Sequence, residues 1–126
     1  VNQIELHPRF QQAALRTAHQ ELGVVTECWS PLGQGKVLED PVIGKIAAAH
    51  GRTPAQVMLR WHLQEGRSAI PKSVKPERIA ANFDVLGFEL TSAELASIAA
   101  LDTGVRGGPD PDSVTLESFH RDIPEA

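Results

Sequence analysis

The chain has 126 residues, 41% of them hydrophobic and 22% charged, with a formal net charge of −4, which allows one domain with a real core. After Gly107 five acids stand against Arg121 alone, so the tail carries the whole net charge; a broad basic face for nucleic acid has no support. No apolar run approaches the roughly 18 to 20 residues of a membrane span, VNQIELHPRF lacks the layout of a signal peptide, and the single Cys28 excludes an internal disulfide and suits a reducing compartment such as the cytoplasm.

Val1 to Leu6 reads as a strand. After HPRF, the recurrence of Leu15, Ala18 and Leu22 predicts a helix over 11–22, which Gly23 closes. Val24 to Trp29, VVTECW, is β-branched and nearly continuous, the pattern of a strand covered on both faces. SPLGQGK is a turn-rich loop. Pro41 opens a short amphipathic helix with Val42, Ile43 and Ile46 on one side, ended by His50-Gly51. Thr53-Pro54-Ala55-Gln56 is a capping box with Pro at the first helical position, and Val57, Met58 and Trp61 follow it. Ser68 to Ile70 predicts a third strand and Pro76 a further helix. A second capping box, Thr91-Ser92-Ala93-Glu94, precedes Leu95, Ile98 and Ala99, and the tail from Asp102 has no periodicity. This alternation predicts an α/β protein with parallel strands. Three strands would leave apolar edges open, so they read as the last units of a larger fold.

Three stretches carry chemistry. In IPKSVKPERIAANF, Lys72, Ser73 and Lys75 fall in the loop after the third strand and Arg78 in the first turn of a helix. A helix start offers free N–H groups and partial positive charge, and arginine can grip phosphate bidentately, so the stretch reads as a phosphate site. ECWSPLGQG also follows a strand; its glycines would let backbone approach a ligand, and Trp29 either stacks on a planar ring or packs in the core. In NQIELHP, the polar Asn2, Gln3 and Glu5 need partners or face a ligand.

Together VNQIELHP, WSPLGQGK and IPKSVKPERIAANFDVLGFELTSAEL, with TPAQVMLRWHLQEG between the last two, resemble the aldo-keto reductases, most nearly their bacterial 2,5-diketo-gluconate reductase branch. The resemblance covers residues 1–101 and implies the C-terminal part, about strands six to eight with their helices, of a (β/α)8 barrel that binds NADPH at the carboxyl ends of its strands. It implies that Gln3 bonds the nicotinamide carboxamide and that Trp29 replaces the Tyr that commonly stacks on the ring. Ser30, Pro31, Leu32, Gly33 and Gln34 would line the pyrophosphate and its ribose. Lys72, Ser73, Val74, Lys75 and Arg78 would hold the 2′-phosphate end, with Asn82 against the adenine. Relatives often carry Glu before that Asn, where this chain has Ala81. NADPH is expected over NADH, because Lys75 and Arg78 cluster without a ribose-binding acid in the matching position.

The resemblance also implies chemistry that this chain does not hold. The family reduces aldehydes and ketones with an Asp, Tyr, Lys and His tetrad, in which Tyr donates the proton. The chain contains no Tyr, and none of His7, His19, His50, His62 or His120 stands where the family has its catalytic His. No catalytic residue is therefore assigned, and the chain alone is expected not to reduce a carbonyl. His7 reads as structural, His50 and His62 as ordinary helix or loop residues, and Cys28 as a packed thiol. No metal-ligand spacing occurs. Residues 102–126 correspond to the loop that closes over substrate in relatives, where Val114 or Phe119 would contact substrate or pack on the barrel. The expected partner is a small carbonyl compound, with no nucleic acid or membrane, and the full-length protein is expected to be a monomer. The rival reading is a barrel that holds NADPH as a redox sensor or scaffold, without turnover.

Overall fold

A computed structural model describes residues 1–115 and 117–118. In chain order it holds β1 (Asn2–Glu5), α1 (Ala13–Glu21), β2 (Thr26–Trp29), a 3₁₀ turn (Gly33–Gly35), α2 (Pro41–His50), α3 (Pro54–Gln64), β3 (Ser68–Ala69), α4 (Pro76–Phe83), α5 (Ser92–Ala99) and a last 3₁₀ turn (Pro111–Ser113). The strands form one parallel sheet in the order β1-β2-β3. Gln3 lies beside Glu27, Glu5 beside Trp29, and Cys28 beside Ala69. The alternation of side chains along strands then puts Gln3, Glu5, Glu27 and Trp29 on one face and Ile4 and Cys28 on the other.

The second face is the core side. Ile4, Leu6 and Cys28 pack with Ile43, Ile46 and Ala47 of α2, Val57, Met58 and Trp61 of α3, Leu90, and Ile98 of α5. Strands of two to four residues have few ladder bonds, each worth about 1 kcal/mol. Fully buried side chains such as Trp61, Leu6 and Ile43 contribute about 1.5–3 kcal/mol apiece, so packing on the helices, and not the ladder, holds the sheet.

Local sequence fixes most helix ends. Both capping boxes form: Gln56 N–H donates to Thr53 Oγ1 (3.2 Å) and Thr53 N–H to Gln56 Oε1 (2.9 Å), with Thr91 and Glu94 repeating the exchange at α5. Asp40 caps α2 through Val42 N–H (3.0 Å) and also holds Arg9 (3.0 Å). Gly23, with φ 64°, lets Val24 N–H turn back to His19 O (2.8 Å), closing α1 as its place in the sequence suggested.

Four expectations change. Helix α1 ends at Glu21, and Leu22 lies exposed; the buried side chain of this helix is His19, which accepts from Asn2 Nδ2 (2.9 Å) and donates through Nδ1 to Thr26 Oγ1 (2.8 Å). The second strand starts at Thr26, because the turn at Gly23 uses Val24. It is buried on one face only: Thr26 and Cys28 point inward, while Glu27 and Trp29 stay half-exposed. Strand β3 stops at Ala69, although Ile70 N–H still donates to Cys28 O (3.2 Å). Each outer strand pairs only with β2 and leaves its other edge open among the described residues. Ile70, Ile79 and Phe83 are exposed on the β3 side, Phe83 at 84%. No helix among the described residues is long and apolar enough to cross a membrane. Val114 is exposed, and Phe119 lies outside the described residues.

Candidate functional site

Because the strands are parallel, the loops after β2 and β3 leave the sheet on the same side. Between them opens a cleft of about 440 Å³ lined by Leu32 and Leu38 from the first loop, Pro54 and Ala55 from the start of α3, and Lys72, Ser73, Glu77, Arg78, Ala81 and Asn82 from the second loop and α4. It joins two cations, a hydroxyl and a carboxamide to an apolar wall. Glu77 adds one opposing charge within the same cleft.

The start of α4 gives less backbone to an anion than its position suggested. Pro76 has no N–H, Arg78 N–H turns back to Lys75 O (3.0 Å), and Lys75 N–H donates to Ser73 Oγ (3.2 Å). The Ser73 hydroxyl hydrogen stays available, so positive character in the cleft comes mainly from the side chains of Lys72 and Arg78.

The loop after β2 is held in an unusual shape. Ser30, Gly33, Gln34 and Gly35 all have positive φ, from 48° to 88°. A Cβ on Gly33 would meet Val37 Cγ2 at 2.5 Å, so only glycine fits there. From below, His62 of α3 donates its Nε2 hydrogen to Pro31 O (3.1 Å) across the core. Burial, with Arg67 nearby, pushes the His62 pKa down to about 3, so the ring is neutral, and its Nδ1 has no partner. His62 is thus an anchor for this loop, not the ordinary helix residue that its sequence position suggested.

On the polar face of the sheet, Gln3 Nε2 donates to Glu27 Oε1 (2.8 Å). Glu5 is 1% exposed, beside Trp29, and accepts hydrogen bonds from His7 Nε2 (3.3 Å) and from the Gly107 (2.9 Å) and Gly108 (3.0 Å) amides. Burial lowers the His7 pKa, with Glu5 opposing the shift. Cys28 is fully buried on the core side; burial pushes its pKa up to about 11, which keeps it an unreactive thiol. No group of three potential metal ligands occurs among the described residues.

Known proteins decide the family. The aldo/keto reductase family model matches residues 1–103. The chain belongs to the aldo/keto reductase family. An aldo-keto reductase of Mycolicibacterium smegmatis is 63% identical over 111 residues, covering 88% of this chain and 40% of the relative. Methylglyoxal reductase DkgA of Escherichia coli is 53% identical over 114 residues, covering 89% and 42%. Among solved structures, a variant of Gox0644 in complex with NADPH superposes with a TM-score of 0.88 at 53% identity, covering 91% of this chain and 43% of that one. The chain therefore spans well under half the length of these relatives.

As an aldo/keto reductase, the chain gathers only some of the residues assigned from its sequence. Leu32, Lys72, Ser73, Arg78 and Asn82 share the cleft. Gly33 and Gln34 face a separate hollow with Glu5, His7 and Arg106. Pro31 is buried and turned toward His62, and Ser30 is the half-buried bend before it. Val74 and Lys75 are exposed on the loop and do not line the cleft. Gln3 and Trp29 lie on the polar sheet face. Sequence reading missed Glu77, although it stands one position before Arg78, and it missed His62, whose partner is 31 positions away.

Proposed function

We propose that this chain is the C-terminal part, about strands six to eight with their helices, of a (β/α)8 aldo/keto reductase barrel in the 2,5-diketo-gluconate reductase-like branch. The full-length protein then uses NADPH to reduce aldehyde and ketone carbonyls to alcohols. Residues 1–101 would belong to the barrel and 102–126 to the substrate loop and tail. The observation that carries the reading is the convergence of Lys72, Ser73, Arg78 and Asn82 on one cleft with Leu32. Two cations and a hydroxyl suit a phosphate monoester dianion, a carboxamide suits the mixed donors and acceptors of a purine edge, and Leu38, Pro54 and Ala55 supply an apolar wall. These are the groups that the adenosine 2′-phosphate end of NADPH requires.

In this reading Arg78 and Lys72 neutralise the 2′-phosphate, Ser73 donates its hydroxyl hydrogen, and Asn82 meets the adenine. Val74 and Lys75 border the phosphate from the exposed loop. Ser30, Pro31, Leu32, Gly33 and Gln34 pass under the pyrophosphate, while Trp29 and Gln3 receive the nicotinamide. The cofactor supplies hydride. A proton must come from elsewhere, because the chain has no Tyr, and this reading assigns it to the remainder of the barrel. Open strand edges and the exposed Ile70, Ile79 and Phe83 support further strands beside these. A closed barrel leaves no edge to pair, which favours a monomer, and the lone buried thiol fits the cytoplasm.

Glu77 offers a local check on the phosphate placement. Replacing it by Gln in the full-length protein is expected to tighten NADPH about 2- to 5-fold at low salt, with the gain shrinking as salt rises. Unchanged or weaker binding would contradict a dianion in this cleft. The main test follows nicotinamide absorbance: full-length protein should oxidise NADPH when given an aldehyde, and the 126-residue chain should not. Turnover by the chain alone, or no NADPH binding by the full-length protein, overturns the reading. The absence of Tyr also keeps the sensor reading in play; NADPH binding without turnover, with no Tyr and Lys encoded upstream, would establish it instead.

A further inference from the structure

The tail from Asp102 to Gly108, which has no periodicity in the sequence, is fastened at several points to the end of β1 and the loop that follows it. Asp102 Oδ1 accepts from Gln11 N–H (3.2 Å), and Thr103 donates to Arg9 O through both its amide (3.0 Å) and its hydroxyl (2.8 Å). At the far end the Glu5 carboxylate closes the strap. Its Oε1 accepts from the Gly107 and Gly108 amides, and its Oε2 from Gly108 again (3.1 Å). Arg106 Nη1 stands 3.6 Å from Oε2, with its guanidinium 4.9 Å from the centre of the Phe10 ring. A carboxylate this buried is costly unless it is hydrogen-bonded, and here the bonds come largely from the tail.

The two glycines have steric reasons. A Cβ on Gly107 would come within 2.9 Å of Glu5 Oε1, and a Cβ on Gly108 would overlap the Trp29 ring. The backbone at 107–108 therefore lies against both the carboxylate and the edge of the indole. His7 ties in the neighbouring loop: it donates to Glu5, and its ring is the next contact that a Cβ on Gly33 would meet (3.5 Å).

We propose that Glu5 is a positioning residue that clamps the tail backbone at Gly107–Gly108 across the edge of Trp29. The clamp fixes the indole and makes the tail a firm wall beside the place where the nicotinamide and the carbonyl substrate would meet, so it helps to set how large a carbonyl compound is accepted. This rests on the reductase reading given above, and Glu5 acts through Trp29 and the tail without touching the reacting atoms.

The experiment uses full-length protein with two variants, Glu5→Gln and Gly108→Ala. Glu5→Gln keeps the shape and removes the charge; Gly108→Ala leaves the carboxylate intact and breaks the seating, so it serves where Glu5→Gln fails to fold. Hydrogen exchange at the Gly107 and Gly108 amides should be slow in the wild type and at least about 10-fold faster in either variant, as expected when charge-assisted bonds are lost. The preference in kcat/KM for a short aldehyde over a bulky one should fall in both variants, chiefly through KM. Wild-type amides that exchange as fast as exposed ones overturn the clamp whether or not NADPH binds. Faster exchange in the variants with an unchanged substrate preference overturns its role in selection. Protected amides in a wild-type protein that does not bind NADPH leave the clamp standing and sink the reductase reading alone.

Discussion

In the full-length protein, Arg78→Ala is expected to weaken NADPH about 10- to 100-fold and to leave NADH within about 2-fold. A charge-assisted bidentate contact to phosphate is worth about 1.5–3 kcal/mol, and each 1.4 kcal/mol is tenfold in Kd. NADH has no 2′-phosphate, so it loses nothing at this position. Helix α4 should survive the change, because alanine is at least as good a helix former as arginine and Arg78 is exposed. Arg78→Lys should fall between the two, keeping the charge and losing the planar fork. The Arg78→Ala effect should shrink with salt, since an exposed cleft is screened within about 8 Å at physiological ionic strength. Fluorescence titration of both cofactors decides the matter: equal weakening of NADPH and NADH would mean that Arg78 supports the helix or the general shape of the cleft, not the 2′-phosphate.

The elements that sequence predicts well here are those whose cause is local. Thr53 and Gln56, or Thr91 and Glu94, sit three positions apart, so the exchange of bonds that starts α3 and α5 is visible in a four-residue window. The second strand shows by its β-branched run, though only the register reveals that Trp29 shares its face with Glu5. Contacts between distant parts are what escaped. Glu5 meets Gly107 across 102 positions, and nothing in the tail composition distinguishes a strapped segment from a loose one. The cleft itself was half legible. Lys72, Ser73 and Arg78 are legible as a group because one short loop and the first turn of one helix carry them; Lys75, read with them, does not line the cleft, and Asn82 comes only from the family resemblance. Leu38, Pro54 and Ala55, which complete its wall, come from elements that only folding brings near. The charge pattern also hid a competition: Ser73 Oγ accepts the Lys75 amide, so a backbone donor that sequence alone would leave for a ligand is already engaged.

Acid should destabilise the protein through His62, with the loss beginning well above the usual carboxylate range. In the fold this ring is 0% exposed, one nitrogen donates to Pro31 O, and the other has no partner. A second proton would be buried beside the Arg67 guanidinium, which is why burial first and Arg67 second hold the pKa down at about 3. The unfolded chain titrates near an ordinary histidine value of about 6.5. Between those two values the unfolded state binds the extra proton and the folded state does not, so stability is full above about pH 6.5 and declines as pH falls, by up to ~1.4 kcal/mol per unit, reaching about 2 kcal/mol at pH 5. His7, also lowered by burial, acts in the same direction. The Glu94 carboxyl enters later: burial alone would raise its pKa, but hydrogen bonds from Thr91 and His50 hold it lower, so its contribution disappears only as pH falls through the carboxylate range. Urea unfolding of the full-length protein between pH 7.5 and 5, values chosen to bracket the unfolded histidine pKa of about 6.5, should therefore isolate the histidines. His62→Gln, which can still donate to Pro31, should be less stable near neutral pH because its shape fits the cavity poorly, yet its profile should be flatter by about one proton. Parallel profiles for the two proteins would show that His62 is not the group responsible. The functional consequence follows from the same bond: acid unfolding that exposes His62 also releases the Pro31 carbonyl, and with it the bent backbone from Ser30 to Gly35 on which the proposed pyrophosphate contacts depend.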